Sequence, residues 1–205
     1  MKFSKTFVSA NGKTYSNAAA LALIKPAKGF SIIKTQSFKP LDKKLTATKV
    51  NEAAREVIEF NNKPAADEYA SAVNKPVDKA SEDFMKHPVG LMLDGEPYVR
   101  SPQQIKNSSV IFYCNILEGM ELSVLESTNI VEDTKNAVNA KKRELGEISG
   151  IINFNCILRT LELEQLKKTG EYAEIFKSIP TIGFSTYGEQ YLGHINQTAT
   201  MLVLK

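Results

Sequence analysis

The segment Gly183-Phe184-Ser185-Thr186-Tyr187-Gly188-Glu189-Gln190, continued by His194-Ile195-Asn196-Gln197-Thr198, is the part around which the rest of the chain is organised. It gathers glycines, hydroxyls, amides, an imidazole and a carboxylate between apolar runs that are typical of strands. Polar side chains this dense between buried strands need partners, either one another or a bound molecule. The remainder of the sequence is therefore interpreted as the frame that holds this segment.

Composition and charge narrow the classes of function. The chain has 205 residues and 42% hydrophobic content, which is enough to bury a core without disulfides or metals. Its net charge of +3 divides into +7 over residues 1–75 and −4 over residues 76–205. The lysines of the basic part are scattered singly and no arginine cluster accompanies them, which argues against nucleic-acid binding. The uneven charge is better explained by a basic face and an acidic face that contact each other, or by a neighbouring part that is missing.

Targeting signals, cofactor loops and metal spacings are absent from the sequence. No apolar stretch follows the start of the chain as in a signal peptide, and no run is long enough to span a membrane. Cys114 and Cys156 lie in apolar runs without a CxxC spacing, which is typical of buried thiols in a reducing compartment. No nucleotide-binding glycine loop occurs. We therefore expect a soluble cytoplasmic protein with no cofactor, no metal and no membrane or nucleic-acid partner.

The predicted order of elements is that of an α+β protein with a mixed, largely antiparallel sheet, flanking helices and a β-rich N-terminal part. Residues 1–75 are predicted as one domain and residues 76–205 as a second. The first domain is predicted to contain a hairpin at Asn11-Gly12 with strands at 6–8 and 19–24, a strand at 30–35 broken by Lys39-Pro40, a strand pair at 45–50 and 55–60, and a helix that begins at Pro64.

The second domain alternates strands and helices more regularly. Its predicted elements are a short helix at 78–86, a hairpin at Asp94-Gly95, a buried strand at 110–114, a helix from Asn129 to Gly146, a strand at 152–158 that ends at Arg159, helices at 161–168 and 172–179, and a closing strand at 199–204. In the strand at 152–158, alternation places Asn153 and Asn155 on the face opposite Phe154 and Cys156.

Several local patterns together resemble the FIST family of bacterial sensory domains. Residues 76–205 resemble the C-terminal FIST domain, and residues 1–75 resemble the tail of its N-terminal domain. The patterns are Tyr98-Val99-Arg100, the run Ile151 to Arg159, Pro180 through Gly183-Phe184-Ser185-Thr186-Tyr187-Gly188-Glu189, Asn196-Gln197-Thr198, residues 7–23 around Asn11-Gly12, Thr35 to Pro40, and Glu59 to Ala65. The resemblance implies an intracellular signal-input module that binds small ligands such as amino acids. It also implies a signalling output partner of the chemotaxis, histidine-kinase or cyclic-dinucleotide type.

An amino-acid ligand needs a guanidinium or backbone N–H groups for its carboxylate and a carboxylate for its ammonium. Polar and charged residues at the ends of the predicted strands could supply these groups. The predicted ligand-binding residues are Arg100, Arg159, Ser185, Thr186, Glu189 and Asn196. The alternative for Arg159 and Glu189 is an internal ion pair that holds strand ends together.

Two other functions stay open at this point. His194 and Cys156 could form the pair of a Cys–His hydrolase, although no nucleophile elbow precedes either cysteine. The chain could also be a pure interaction module whose basic part docks on a partner domain. An exposed strand edge further predicts a homodimer. The favoured interpretation is a non-enzymatic sensory module that binds a small ligand and signals to an output domain.

Overall fold

The computed structural model describes residues 5–205 and confirms an α+β fold built mainly from antiparallel strands. Short 3₁₀ turns occupy Glu52–Ala54 and Val77–Asp83. The α-helices are α1 (Ala65–Ala72), α2 (Ile130–Leu145), α3 (Ile157–Gln165) and α4 (Thr169–Glu174). The strands are β1 (Phe7–Ala10), β2 (Lys13–Ser16), β3 (Phe30–Gln36), β4 (Phe38–Asn51), β5 (Glu56–Phe60), β6 (Lys63–Pro64), β7 (Val89–Leu93), β8 (Glu96–Arg100), β9 (Pro102–Lys106), β10 (Ser109–Phe112), β11 (Glu121–Ser127), β12 (Gly150–Cys156), β13 (Thr181–Thr186), β14 (Glu189–Gln190), β15 (His194–Ile195) and β16 (Thr198–Leu204).

Two sheets carry the fold. The large sheet has the order β8-β7-β11-β4-β5-β10-β9, and β6 adds to β5. The small sheet has the order β13-β12-β16-β3, in which only the β12–β13 pair is parallel. β1 and β2 form a separate hairpin, and β14 pairs with β15.

Short-range signals in the sequence produce the predicted turns and caps. Asn11 and Gly12 both have positive φ and join β1 to β2, and Asp94 and Gly95 do the same between β7 and β8. The side chain of Asn129 accepts hydrogen bonds from the N–H groups of two residues in the first turn of α2. These predictions are confirmed.

Several predicted element bounds are wrong: the helix predicted at 78–86 is the 3₁₀ turn Val77–Asp83, and the helix predicted at 172–179 is α4 at Thr169–Glu174. Three further errors have a local reason. Residues 19–24 form no strand, because the two-residue turn places the partner strand directly after Gly12. β4 continues through Pro40, which lies beside a register shift in β11 that tolerates the missing N–H group. The strand predicted at 152–158 ends at Cys156, so Arg159 lies in the first turn of α3.

The large sheet is covered by α1 and the 3₁₀ turn that follows it. Tyr69 of α1 is fully buried and donates a 2.7 Å hydrogen bond to the carbonyl of His87, while its ring meets Phe84 edge-on. Phe60 and Phe112 pack edge-to-face beneath the helix. This core therefore joins β5 and β10 to the segment before β7.

Among residues 5–205, helices cover only one face of the small sheet. α2 and the segment after α4 pack on the face that carries Ile151, Met201 and Val203. The other face leaves Ile182 and Phe184 of β13 72% and 64% exposed. β13 is also an edge strand, because β12 is its only partner in the sheet among residues 5–205.

The parts before and after residue 75 are interleaved. β4 and β5 lie in the middle of the large sheet, between β11 and β10, and β3 pairs with β16 in the small sheet. Lys34 of β3 links the sheets, since its Nζ lies 4.4 Å from the ring centre of Tyr98 and 3.5 Å from Glu96. The division of the chain into two domains at residue 75 stays a prediction.

Within residues 5–205, no helix combines the length and apolarity that a membrane crossing requires. The same part of the chain brings no three histidine, cysteine, aspartate or glutamate side chains together in an arrangement that could hold a metal ion.

Candidate functional site

The polar segment that begins at Gly183 runs along β13 and then folds back over one end of the small sheet. β14 and β15 form a short hairpin there, and Leu192 at its tip has a φ of 60°. The N–H of Asn196 donates to the carbonyl of Val99 at 3.2 Å, which ties the end of the hairpin to β8. The segment therefore lies where the two sheets meet.

Glu189 is buried inside this segment with its carboxylate fully engaged. Its Oε2 accepts from the hydroxyl of Thr198 at 2.9 Å and from that residue's N–H at 3.4 Å, and its Oε1 accepts from the Thr186 hydroxyl. Burial raises the pKa of Glu189 above 4.5, and the hydrogen bonds from Thr186, Thr198 and Cys156 oppose the rise. The carboxyl group holds β14 against β16.

We expect Glu189 to make stability depend on pH. The folded state binds this proton more tightly than the unfolded state, so the contribution is fully present below pH 4.5 and is lost as pH rises through the folded pKa. Glu189→Gln should therefore unfold at nearly the same urea concentration as the wild type at pH 4.5 and at a higher one near neutrality. Urea midpoints across this range measure the effect.

A matched control is Glu162→Gln, because burial also raises the pKa of Glu162 while Arg159 opposes it. Glu162→Gln should remove the part of the pH dependence of stability that comes from Glu162 and leave the part that comes from Glu189. Identical pH profiles for Glu189→Gln and the wild type would contradict the assignment of the slope to Glu189.

Arg159 lies at the centre of a second buried network and is 1% exposed. Its Nε donates to Asn155 Oδ1 at 3.0 Å and its Nη2 donates to Thr134 at 2.8 Å. Tyr172 also donates to Asn155, at 3.2 Å. The Nη1 of Arg159 is buried without a hydrogen-bond partner in the described part of the chain. The network therefore joins α2, α3, α4 and β12 under the helix-covered face.

One alternative that the sequence left open for this region is wrong. Arg159 and Glu189 form no ion pair with each other, since each is bonded to neutral side chains. As alternation predicted, Asn153 and Asn155 lie on the face opposite Phe154; they are buried under the helices, whereas Phe154 is 36% exposed. The guanidinium of Arg159 explains why Asn155 can be buried, because a buried amide is stable where its oxygen has a charged donor.

Asn196 and Gln197 form a third network that reaches the large sheet. Asn196 Oδ1 accepts from the N–H of Ser101 at 3.4 Å, and Gln197 Oε1 accepts from the Ser101 hydroxyl at 2.7 Å. Gln197 also donates to the carbonyl of Met85 at 3.0 Å. Both amides are buried, so they hold the hairpin on the end of β8.

A cavity of about 430 Å³ opens beside this third network. It lies between the turn that precedes β5, the end of β8, the loop that follows β10, and β15. Its lining residues are Arg55, Arg100, Cys114, Asn115, Leu117, Met120 and His194.

Both arginines of the cavity are anchored to backbone carbonyls. Arg100 Nη1 donates to the carbonyl of His194 at 2.5 Å, and Arg55 Nη1 donates to the carbonyl of Tyr113 at 2.8 Å. The Nε of Arg100 is buried and has no hydrogen-bond partner within residues 5–205. Arg55 has a φ of 53°, in the left-handed region that few arginines adopt. A backbone carbonyl therefore holds each guanidinium in one orientation, and other N–H groups of the same side chain can still donate to a ligand.

The electrostatic character of the cavity is positive. Partial burial lowers the pKa of His194, and the charges of Arg100 and Arg55 lower it further, so the imidazole is neutral at neutral pH. None of the described residues that line the cavity is acidic, and neither arginine has an ion-pair partner in this part of the chain. Such a cavity is suited to an anionic group.

The ring of His194 is held in place from two sides. Its Nε2 lies 3.1 Å from the amide nitrogen of Asn196, and Gly188 packs against the ring so closely that a Cβ at this glycine would lie 2.8 Å from Cε1. The glycine of the polar segment therefore makes room for the imidazole at the rim of the cavity.

Of the six residues predicted to bind a ligand, only Arg100, at the end of β8, lines the cavity. Asn196 contacts His194 at its rim, and Thr186 and Glu189 belong to the first buried network. Ser185 bonds to Thr160 at 2.8 Å beside the network of Arg159. Contact between a ligand and these residues stays a prediction.

The sequence analysis missed Arg55, Asn115 and His194 as parts of one cavity. They are separated by at least 60 positions along the chain. The only local signal was at His194, which lies inside the polar segment. Arg55 and Asn115 reach the cavity through strand pairing between distant segments, which no short motif records.

Comparisons with known proteins agree with the resemblance in the sequence. A family model described as the FIST C domain matches residues 65–192, and one described as the FIST N domain matches residues 1–63. Neither the curated proteins nor the solved structures gave a significant match.

Proposed function

Because the chain belongs to the FIST family, whose domains are small-ligand sensory domains in signal transduction, we propose that it binds a small ligand in the cavity between Arg55 and Arg100. The observation that carries this proposal is the pair of anchored guanidinium groups with no acidic neighbour in the lining. Guanidinium groups held on one side and open to solvent on the other can exchange bound water for an anionic group.

The position of the cavity suggests how binding becomes a signal. Arg55 lies in the part matched by the FIST N domain, and Arg100 lies in the part matched by the FIST C domain. A ligand held by both would favour the arrangement in which these parts are closed on it, and an output domain or protein would respond to that shift. A chemotaxis, histidine-kinase or cyclic-dinucleotide output is part of this proposal.

The remaining predicted site residues have supporting roles in the proposal. Glu189 and Thr186 fix the loop that carries His194, and Asn196 orients the imidazole. Arg159 and Ser185 hold the end of the small sheet from the opposite side. We propose that these residues set the shape of the cavity and that Arg100 contacts the ligand.

A thermal-shift screen of amino acids and small carboxylates tests the function. A ligand present at one hundred times its Kd stabilises the folded state by about 2.7 kcal/mol, which corresponds to about 5–10 °C for a chain of this size. Arg100→Gln should abolish the shift. Unchanged melting temperatures with every compound, at concentrations up to the millimolar range, would contradict the proposal.

We propose that the chain is not a hydrolase. The imidazole of His194 contacts Asn196, whereas the charged group that acts on the thiol of Cys156 is the Glu189 carboxylate. Burial raises the pKa of Cys156 to about 11, and the Glu189 carboxylate adds to the rise. A catalytic thiol needs the opposite shift, because the thiolate is the nucleophile.

Both thiols should resist alkylation in the folded protein. Burial also raises the pKa of Cys114 to about 11, so little thiolate is present at neutral pH. We expect iodoacetamide to leave both cysteines unmodified at pH 7 and to modify both in urea, as measured by mass spectrometry. Rapid modification of Cys156 alone in the folded protein would instead favour the hydrolase.

Location and self-association complete the proposal. Two free and buried cysteines support a cytoplasmic protein. β13 carries neither a charge nor a proline along an exposed edge, which supports a homodimer formed by strand pairing. Light scattering should then detect a dimer that Phe184→Lys weakens, and a wild-type monomer at all concentrations would contradict this part.

A further inference from the structure

We propose that the cavity selects small carboxylate anions that lack an ammonium group, an inference that rests on the ligand-binding function proposed above. The expected ligand has a short apolar body with two carboxylates. Free amino acids, which the sequence analysis favoured, are expected to bind less well.

The donors of the cavity fit carboxylate oxygens. Each guanidinium uses one nitrogen on a backbone carbonyl, at 2.8 Å for Arg55 and 2.5 Å for Arg100, and this contact fixes its plane. The other nitrogens keep N–H groups in the fork geometry that matches a carboxylate. The Nε of Arg100 is shielded from solvent, so the donors that Arg100 offers to a ligand are the remaining N–H groups of its Nη nitrogens. Two such groups on separate elements suit an anion with two acidic ends.

Among the described residues, the lining of the cavity offers no carboxylate to an ammonium group. Recognition of an amino acid requires a carboxylate or several oxygen acceptors beside the guanidinium. Glu189, the only acidic residue of the polar segment, is buried with both oxygens bonded to Thr186 and Thr198, so it is unavailable. Two positive charges without a counter-charge would repel an ammonium group and thereby act against free amino acids.

The remaining wall suits a short hydrocarbon chain. Cys114, Leu117 and Met120 line the cavity together with Asn115. The thiol of Cys114 is protonated, since burial raises its pKa to about 11 despite the neighbouring arginines. The wall therefore adds no negative charge and offers apolar surface between the two cationic ends.

Matched ligand pairs test the selectivity in titration calorimetry with the whole chain. Succinate and L-aspartate share one carbon skeleton and differ in the ammonium group, and glutarate and L-glutamate form a second such pair. We expect each dicarboxylate to bind at least about tenfold more tightly than its amino-acid counterpart. Phosphate and sulfate are added as separate arms, since a guanidinium fork also accepts these anions.

Three variants locate the site. Arg55→Gln and Arg100→Gln should each weaken dicarboxylate binding at least about tenfold. Arg143→Gln removes the same charge from an exposed position in the last turn of α2, and it should leave affinity unchanged. Arg55 is exposed, so Arg55→Gln keeps the test decisive if Arg100→Gln fails to fold.

The outcomes separate this inference from the function on which it rests. An amino acid that binds as tightly as its dicarboxylate twin, with the same dependence on Arg55, overturns the selectivity and leaves the sensory function standing. Binding of phosphate or sulfate without any dicarboxylate overturns the choice of carboxylates. No binding in any arm overturns both proposals.

Discussion

Replacement of Gly183 by alanine should cost at least about 3 kcal/mol in the free energy of unfolding. A Cβ at this position would lie 2.0 Å from the carbonyl oxygen of Asn153 and 2.8 Å from its carbonyl carbon. Gly183 is opposite Asn153 in the parallel pair of β12 and β13. Neither backbone can rotate away as a flexible side chain could, so β13 would have to leave β12.

The effect should extend beyond stability. β13 leads directly into the loop that carries Glu189 and His194, so a displaced strand would move the rim of the cavity. We expect Gly183→Ala to lose both ladder hydrogen bonds and ligand binding. Urea unfolding and amide hydrogen exchange of β12 measure the first loss, and calorimetry with succinate measures the second.

Gly193 provides the matched control within the same segment. A Cβ there would meet no atom within 4 Å, and its φ lies outside the left-handed region. Gly193→Ala should therefore change the free energy of unfolding by no more than about 0.5 kcal/mol. A Gly183→Ala variant as stable as the Gly193→Ala variant would contradict the close approach of β12 and β13.

The second large effect is expected at Arg159 and depends on the residue that replaces it. Arg159→Ala should cost about 3–5 kcal/mol, because it leaves a cavity among four elements and removes donors from Asn155 and Thr134. Arg159→Met fills most of the same volume and removes a buried charge that has no ion-pair partner. It removes the same donors, but Asn155 keeps its hydrogen bond from Tyr172 and Thr134 keeps its bond to the carbonyl of Ile130. We therefore expect a cost of only about 1–2 kcal/mol.

The pair of variants also separates a structural role from a ligand-binding one. If Arg159 only supports the sheet, Arg159→Met should bind succinate with unchanged affinity. If it contacts the ligand as the sequence analysis proposed, the methionine variant should be stable and unable to bind. Equal destabilisation by alanine and methionine would contradict the argument from volume.

The parts of the fold that depend on neighbouring residues could be predicted from the sequence. The turns at Asn11-Gly12 and Asp94-Gly95 and the cap at Asn129 follow from side-chain chemistry within a few positions. β4 could not be bounded in this way, since its passage through Pro40 depends on a register shift in β11. Arg159 was assigned to a strand because alternation alone cannot detect the helix that begins after Cys156.

The candidate site shows the same limit: features within one segment could be predicted, and contacts between distant segments could not. The polar segment identified Asn196, and the charged end of an apolar strand identified Arg100, because such side chains are unusual beside apolar strands. The cavity itself depends on Arg55, which reaches it only when β5 pairs between β4 and β10. A single segment of sequence can show which polar groups belong to a site. It does not show which distant residues lie beside them in the folded chain.

Because β4 and β5 lie between β11 and β10, the fold limits which segments of the chain can be exchanged during evolution. Residues 1–63 cannot be exchanged for an unrelated module without opening the middle of the large sheet. The parts matched by the FIST N and FIST C domains should therefore be inherited together. Fragments that are expressed separately should fold only when they are mixed and pair with each other.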